Sequence, residues 1–375
     1  MRRTTMALLS LATALISQAG AQSTSNDPNP AMNNADKVAW QLFVQVNAPG
    51  ATPGNNNALF ETWASDGDTF RTNPAWPSTP SGTVLSPPAL LLFRPLPPGL
   101  QPHVLPGGGE EVRRNKPTFD FIVQNNLHTR AGLRQAFAAG KPITFPIDSI
   151  EVKANWVPVE TVNPALYHVN TASDGKQYAL VSMHIISKQV PNWTWATFEH
   201  QNNPGRCDYI GCNDSFGAIA PHVDPEPASQ FGKVYPACQK TPELLAMFQS
   251  GNLASEWQNY CLKGSQVDFT TPTGIPTLLG NSVPESGFVN TSSCLTCHAR
   301  AAFDVFGRPT PNAGFLDPQQ FPTLCPVPNQ SINACSPNGT PIASWFWANQ
   351  GTPNQRMLFM QSDFVWAIAL RAIGL

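Results

Sequence analysis

The residues best placed by type and spacing to do chemistry are Cys294, Cys297 and His298, in the run Cys294-Leu295-Thr296-Cys297-His298. On a helix, positions three and four apart share a face, so two thiols and an imidazole are offered together. Such thiols can reach one edge of a porphyrin and add to its two vinyl groups. The adjacent imidazole is then held beneath the ring, where a nitrogen can bind iron. Two other chemistries use similar residues. A redox dithiol wants a strand leading into the motif within a βαβ pattern, which Ser286 to Ser293 does not supply. A zinc site wants further Cys or His ligands close by, and the chain has neither a second Cys-x-x-Cys nor a nearby His pair. From composition, the five-residue pattern is expected only about 0.003 times by chance.

The run resembles the haem-attachment signature of c-type cytochromes, and the resemblance covers these five residues alone. It implies one covalent haem c with its iron, bound through Cys294 and Cys297, with His298 as an axial ligand. It also implies attachment outside the cytoplasm. The N-terminus reads the same way: Arg2 and Arg3 precede an apolar run from Met6 to Ile16, and Ala19-Gly20-Ala21 is a small-x-small cleavage site. Residues 1–21 are therefore expected to be a cleaved signal peptide. No later stretch is apolar for the roughly 20 residues that a membrane helix needs. The expected location is the periplasm or the secreted fraction, with no transmembrane segment after cleavage.

What the iron does depends on its sixth position. Met357 and Met360 precede the last helical segment, where small c-type cytochromes often carry a methionine ligand. His184 and His200 are the other candidates. With a turn near Asn192, each lies eight residues from it, which sets them opposite one another on one face of a hairpin. Glu199 could orient an imidazole or act with His184 and His200 as a catalytic acid or base. His103, His128, His168 and His222 fall in loop-like sequence. The resemblance implies periplasmic electron transfer by Fe(III)/Fe(II) cycling. The alternative is a haem enzyme of peroxidase or oxygenase type with an open distal position, and a ligand-binding sensor is a third reading. The redox partner, protein or small molecule, is not named by the sequence.

The remaining six cysteines are even in number, as expected of disulfides in an exported chain. Pairing by nearest neighbours gives Cys207–Cys212, Cys238–Cys261 and Cys325–Cys335, one of 15 connectivities. Without Arg2 and Arg3 the chain keeps 20 Lys+Arg against 24 Asp+Glu, with no basic cluster. Nucleic acid is therefore excluded as a partner class, because phosphate neutralisation needs clustered cations.

These residues must be positioned by the elements around them. Residues 22–34 read as a disordered N-terminal segment. Apolar spacing predicts helices over 35–47, 130–139, 242–250, 253–262 and 361–372, with a short one over 294–302. Alternation predicts a half-buried strand over 150–156, and residues 177–187 and 193–200 form a hairpin about a turn at 188–192. Residues 73–110, with ten prolines, and 309–341 are loops, and Gly107-Gly108-Gly109 lacks the context of a phosphate loop. The fold class is α+β, β-rich in the middle with helices towards both ends. An α+β region at 35–241 is followed by 242–375, a cytochrome c-like helical region carrying the haem. The helices at 35–47 and 361–372 could instead pack together, making the middle an insertion in one continuous domain.

Overall fold

The computed structural model describes residues 29–50, 56–78, 109–225, 233–286, 288–310, 323–325 and 335–374. The expected signal peptide, most of the proline-rich stretch, His103 and much of 309–341 lie outside the described residues. The helices are α1 (Pro30–Asn33), α2 (Ala35–Asn47), α3 (Asp66–Thr69), α4 (Lys116–Gln124), α5 (Arg130–Ala139), α6 (Pro242–Ser250), α7 (Cys294–His298) and α8 (Trp366–Arg371). The strands are β1 (Ala64–Ser65), β2 (Gly109–Arg114), β3 (Ile150–Pro158), β4 (Val169–Thr171), β5 (Gln177–Ser187), β6 (Thr194–His200), β7 (Cys212–Asn213), β8 (His222–Val223), β9 (Tyr260–Gln266), β10 (Ala302–Phe303), β11 (Trp347–Ala348), β12 (Arg356–Met357) and β13 (Met360–Gln361).

One antiparallel sheet dominates, in the order β1-β2-β3-β5-β6-β9, with β4 on the edge of β5. Its first face packs on α2, whose Trp40, Phe43 and Val46 meet Val152, Met183, Ile185 and Phe198. Its second face carries a separate core, in which Ile186 and Trp195 meet Leu295, Phe303, Met360 and Ile368. Adjacent residues Ile185 and Ile186 thus serve opposite cores, as the two-residue period of a strand requires. The helices α2 and α8 lie on opposite faces, so the expected packing of the 35–47 and 361–372 segments does not occur.

Local chemistry accounts for the helices that were legible. Asn34 caps α2 by accepting from Lys37 N, and Thr129 caps α5, which Gly140 ends in the left-handed conformation that its missing Cβ permits. Thr241 and Pro242 open α6.

Other expectations are corrected. Residues 30–33 are helical with Ala31 buried, so the polar stretch 22–34 is ordered at its end. β2 begins at Gly109 and Glu110, the end of the stretch read as loop, and runs on through residues given no element; its Arg114 is buried, donating to Asp66 at 2.6 Å and Glu151 at 3.1 Å. The polar residues of β3 do not face open water: Glu151 and Asn155 are buried, and Lys153 is half-buried on the wall of a cavity. The segment 253–262 is a 3-10 turn at Ser255–Asn259 running into β9, because Tyr260 and Leu262 enter the first core while Cys261 reaches Cys238. The last helix starts at Trp366, not 361.

Since β9 pairs with β6, residues after 242 add a strand to the sheet built before them. The described residues of 242–375 are mainly loops and two-residue ribbons around three short helices, not a helical cytochrome-like unit. The cysteines do pair as nearest neighbours: Cys207–Cys212, Cys238–Cys261 and Cys325–Cys335, with Cα separations of 5.1, 5.8 and 5.0 Å. No helix among the described residues is long and apolar enough to cross a membrane.

Candidate cofactor site

α7 is a five-residue helix docked on the second face of the sheet. Ser293 caps it, accepting from Thr296 N. Gln266 at the end of β9 grips its start, accepting from Leu295 N at 3.2 Å and donating to Ser293 Oγ at 3.2 Å. Thr296 Oγ1 donates to Gly339 O at 2.6 Å. Leu295 and Thr296 are fully buried, which turns the face bearing Cys294, Cys297 and His298 towards a cavity of about 210 Å³. Both motif cysteines are outside any disulfide and half-buried.

His298 donates from Nδ1 to Phe364 O at 2.8 Å, and its ring lies 4.5 Å from that of Trp195. Burial pushes its pKa down to about 4, so the imidazole is neutral at pH 7. A neutral ring that donates from Nδ1 keeps its lone pair on Nε2, as a metal-ligating histidine does. Burial pushes the Cys294 thiol well above its ordinary range and Cys297 up to about 11. Reactive dithiols need the reverse, a lowered pKa in an electropositive setting. Among the described residues, no group of three or more His, Cys, Asp or Glu side chains could hold a metal ion by itself.

The opposite wall is the sheet: Glu110, Val112, Glu151, Lys153, His184, Ile186 and Trp195. The loop residues Pro284, Glu285, Phe288 and Ser292 and the α8 residues Trp366, Ala367, Leu370 and Arg371 close the sides. Lys153 Nζ is 3.0 Å from Glu110 Oε2. Burial alone lowers the Lys153 pKa, but Glu110 and Glu285 outweigh it and hold it above the usual lysine value. His184 Nε2 stands 3.4 Å from Glu285 Oε1 without a hydrogen bond. Burial raises Glu285, yet His184 and Lys153 together bring its pKa below the ordinary carboxylate value.

The structure brings His184 to the same cavity as the motif and sets the other candidates elsewhere. In the hairpin His184 opposes Thr197, not His200. That register differs by three residues from the expected one, an odd number, so the two histidines point to opposite faces. His200 stacks on Tyr167 at 3.5 Å with Nε2 3.0 Å from Leu166 O, while Nδ1 accepts from Asn202 N. Glu199 is wholly buried and holds a loop: it accepts from Ser282 N at 2.8 Å, from Ser282 Oγ and from Asn203. Met360 is buried opposite Phe303 and Met357 pairs with Trp347, and neither lines the cavity. His168 pairs with Glu61 at 3.0 Å, His222 is exposed beside Asp224, and His128 is buried ahead of α5.

Sequence reasoning missed Glu285, Lys153 and Trp195. Lys153 belonged to the polar half of an alternating strand, a pattern that signals only that one face differs from the other. Glu285 sits in a loop without any pattern. Comparison with family models, with curated proteins and with solved structures gave no match.

Proposed function

We propose that the chain is an exported c-type monohaem redox protein, with electron transfer as its primary activity. The observation that carries this reading is the state of the eight cysteines: six close disulfides, and the two left over stand with His298 on one cavity. The donor set fits the group. Cys294 and Cys297 would hold the haem by thioether bonds, and His298 Nε2 would be an axial ligand, its Nδ1–H fixed by Phe364 O. When bound, the group supplies an iron that cycles between Fe(III) and Fe(II). The chain's own residues orient the imidazole, cover the site with α8 and with Pro284, Glu285, Phe288 and Ser292, and shield it behind the sheet. The oxidising compartment required for three disulfides agrees with attachment outside the cytoplasm, and we assign the protein to the periplasm.

His184 is the residue we assign to the sixth position, because its side chain lines the same cavity as the motif; its Nε2 would leave Glu285 Oε1, now 3.4 Å away, to bind the iron. One observation favours a second reading, a haem enzyme with an open distal position. Glu285 stands against His184 on the cavity, a carboxylate–imidazole pairing that a simple carrier does not need. Carbon monoxide added to the reduced protein separates the two. A carrier with His184 bound stays six-coordinate and low-spin with an unchanged spectrum. Rapid, near-complete ligand binding overturns the carrier reading, and turnover of peroxide with an electron donor then supports the enzyme.

A further inference from the structure

Asp363 and Phe364, immediately before α8, both occupy the left-handed backbone region, at φ 51° and 72°. Neither is glycine, and such a conformation persists in residues with a Cβ only where surroundings over-determine it. The surroundings are specific. Asp363 Oδ1 accepts from Lys188 Nζ at 2.7 Å, and Oδ2 accepts from Phe145 N at 2.7 Å. Lys188 also donates to Pro191 O at 2.7 Å, so the carboxylate is tied to the β5–β6 turn. Both side chains of the pair are less than a tenth exposed. The following carbonyl, Phe364 O, is the acceptor for His298 Nδ1.

We propose that Asp363, clamped by Lys188, is a positioning residue that aims the Phe364 carbonyl at His298 and so sets how strongly Nε2 donates to iron. This rests on the haem reading above. A well-placed acceptor draws the Nδ1 proton and raises electron density on the other nitrogen, which is one lever on a haem potential. Without the clamp the two-residue turn relaxes, the carbonyl swings away and the imidazole becomes a weaker donor. Fe(III) is then less stabilised, and the potential rises.

The test compares haem-loaded parent protein with Asp363→Ala, Lys188→Met and Asp363→Asn. Two quantities are measured: the midpoint potential, and the exchange rate of the His298 ring N–H proton by NMR. The expected result is a positive shift of potential with faster exchange in Asp363→Ala and Lys188→Met. Asp363→Asn tolerates the left-handed region but keeps a single acceptor oxygen and turns its NH2 towards Lys188 Nζ or Phe145 N, so both quantities are expected to move in the same direction as in Asp363→Ala. If Asp363→Ala fails to fold, Lys188→Met against the parent carries the comparison. Potential and exchange unchanged in a loaded Ala or Met variant overturn the proposal. A parent chain without covalent haem instead overturns the reading beneath it, before any variant is compared.

Discussion

At His298, one hydrogen bond from Nδ1 decides which nitrogen is left to bind a metal, and two neighbouring thiols decide what can be tethered beside it. Cys294→Ser with Cys297→Ser is expected to abolish covalent haem while leaving the fold, since both thiols line the cavity and neither closes a disulfide; haem staining of the denatured chain checks it. His184→Ala is expected to turn a low-spin spectrum high-spin, whereas His200→Gln leaves the spectrum unchanged. His200 should speak in stability instead. Burial lowers its pKa to about 4 from 6.5, so the unfolded chain binds the extra proton first as pH falls. Stability from this group is therefore intact above about pH 6.5 and falls by about 1.4 kcal/mol per pH unit towards pH 4. Denaturant titrations of parent and His200→Gln between those limits read it, and equal slopes would contradict it.

Among the elements, the contrast between β3 and the hairpin explains what could be read from sequence. The ranges of α2 and α5 were legible because capping residues and apolar period agreed there, and that of β5 because aromatic and β-branched residues run up to a turn. The motif itself was legible because its spacing is chemical. Hairpin register was not, because it is fixed by a six-residue turn whose geometry no pattern encodes, and three residues of shift moved His200 off the site. The buried polar face of β3 was hidden for another reason: Glu151 and Lys153 are satisfied by Arg114 and Glu110, and partners from other strands leave no trace in a local window. Close approach is equally silent. A Cβ on Gly217 would lie 2.1 Å from Trp40 Nε1, so Gly217→Ala is expected to cost about 1–3 kcal/mol through overpacking, measured by urea unfolding. The cavity is smaller than the roughly 300–1,000 Å³ of typical cofactor pockets. α8 and the wall residues Pro284, Glu285, Phe288 and Ser292, which lie outside the main sheet, are expected to adjust on loading, with a change in their hydrogen exchange relative to the sheet.

For the whole molecule, β9 is the decisive strand, since it binds the segment carrying the motif into the sheet formed by the first half of the chain. A single cooperative unfolding transition is expected, and proteolysis near residue 242 should release no folded haem-bearing fragment. Two separate transitions would instead indicate an independent C-terminal unit. Cys238–Cys261 anchors β9 covalently, and replacing both cysteines by serine is expected to lower stability by about 2–4 kcal/mol without altering the haem spectrum. The central claim is tested most directly by mass spectrometry of the exported protein, made in cells that assemble c-type haem. The account predicts one haem added covalently to the peptide containing Cys294, Cys297 and His298, with the other six cysteines disulfide-bonded. An unmodified peptide with two thiols, or one closed by a Cys294–Cys297 disulfide, would contradict it.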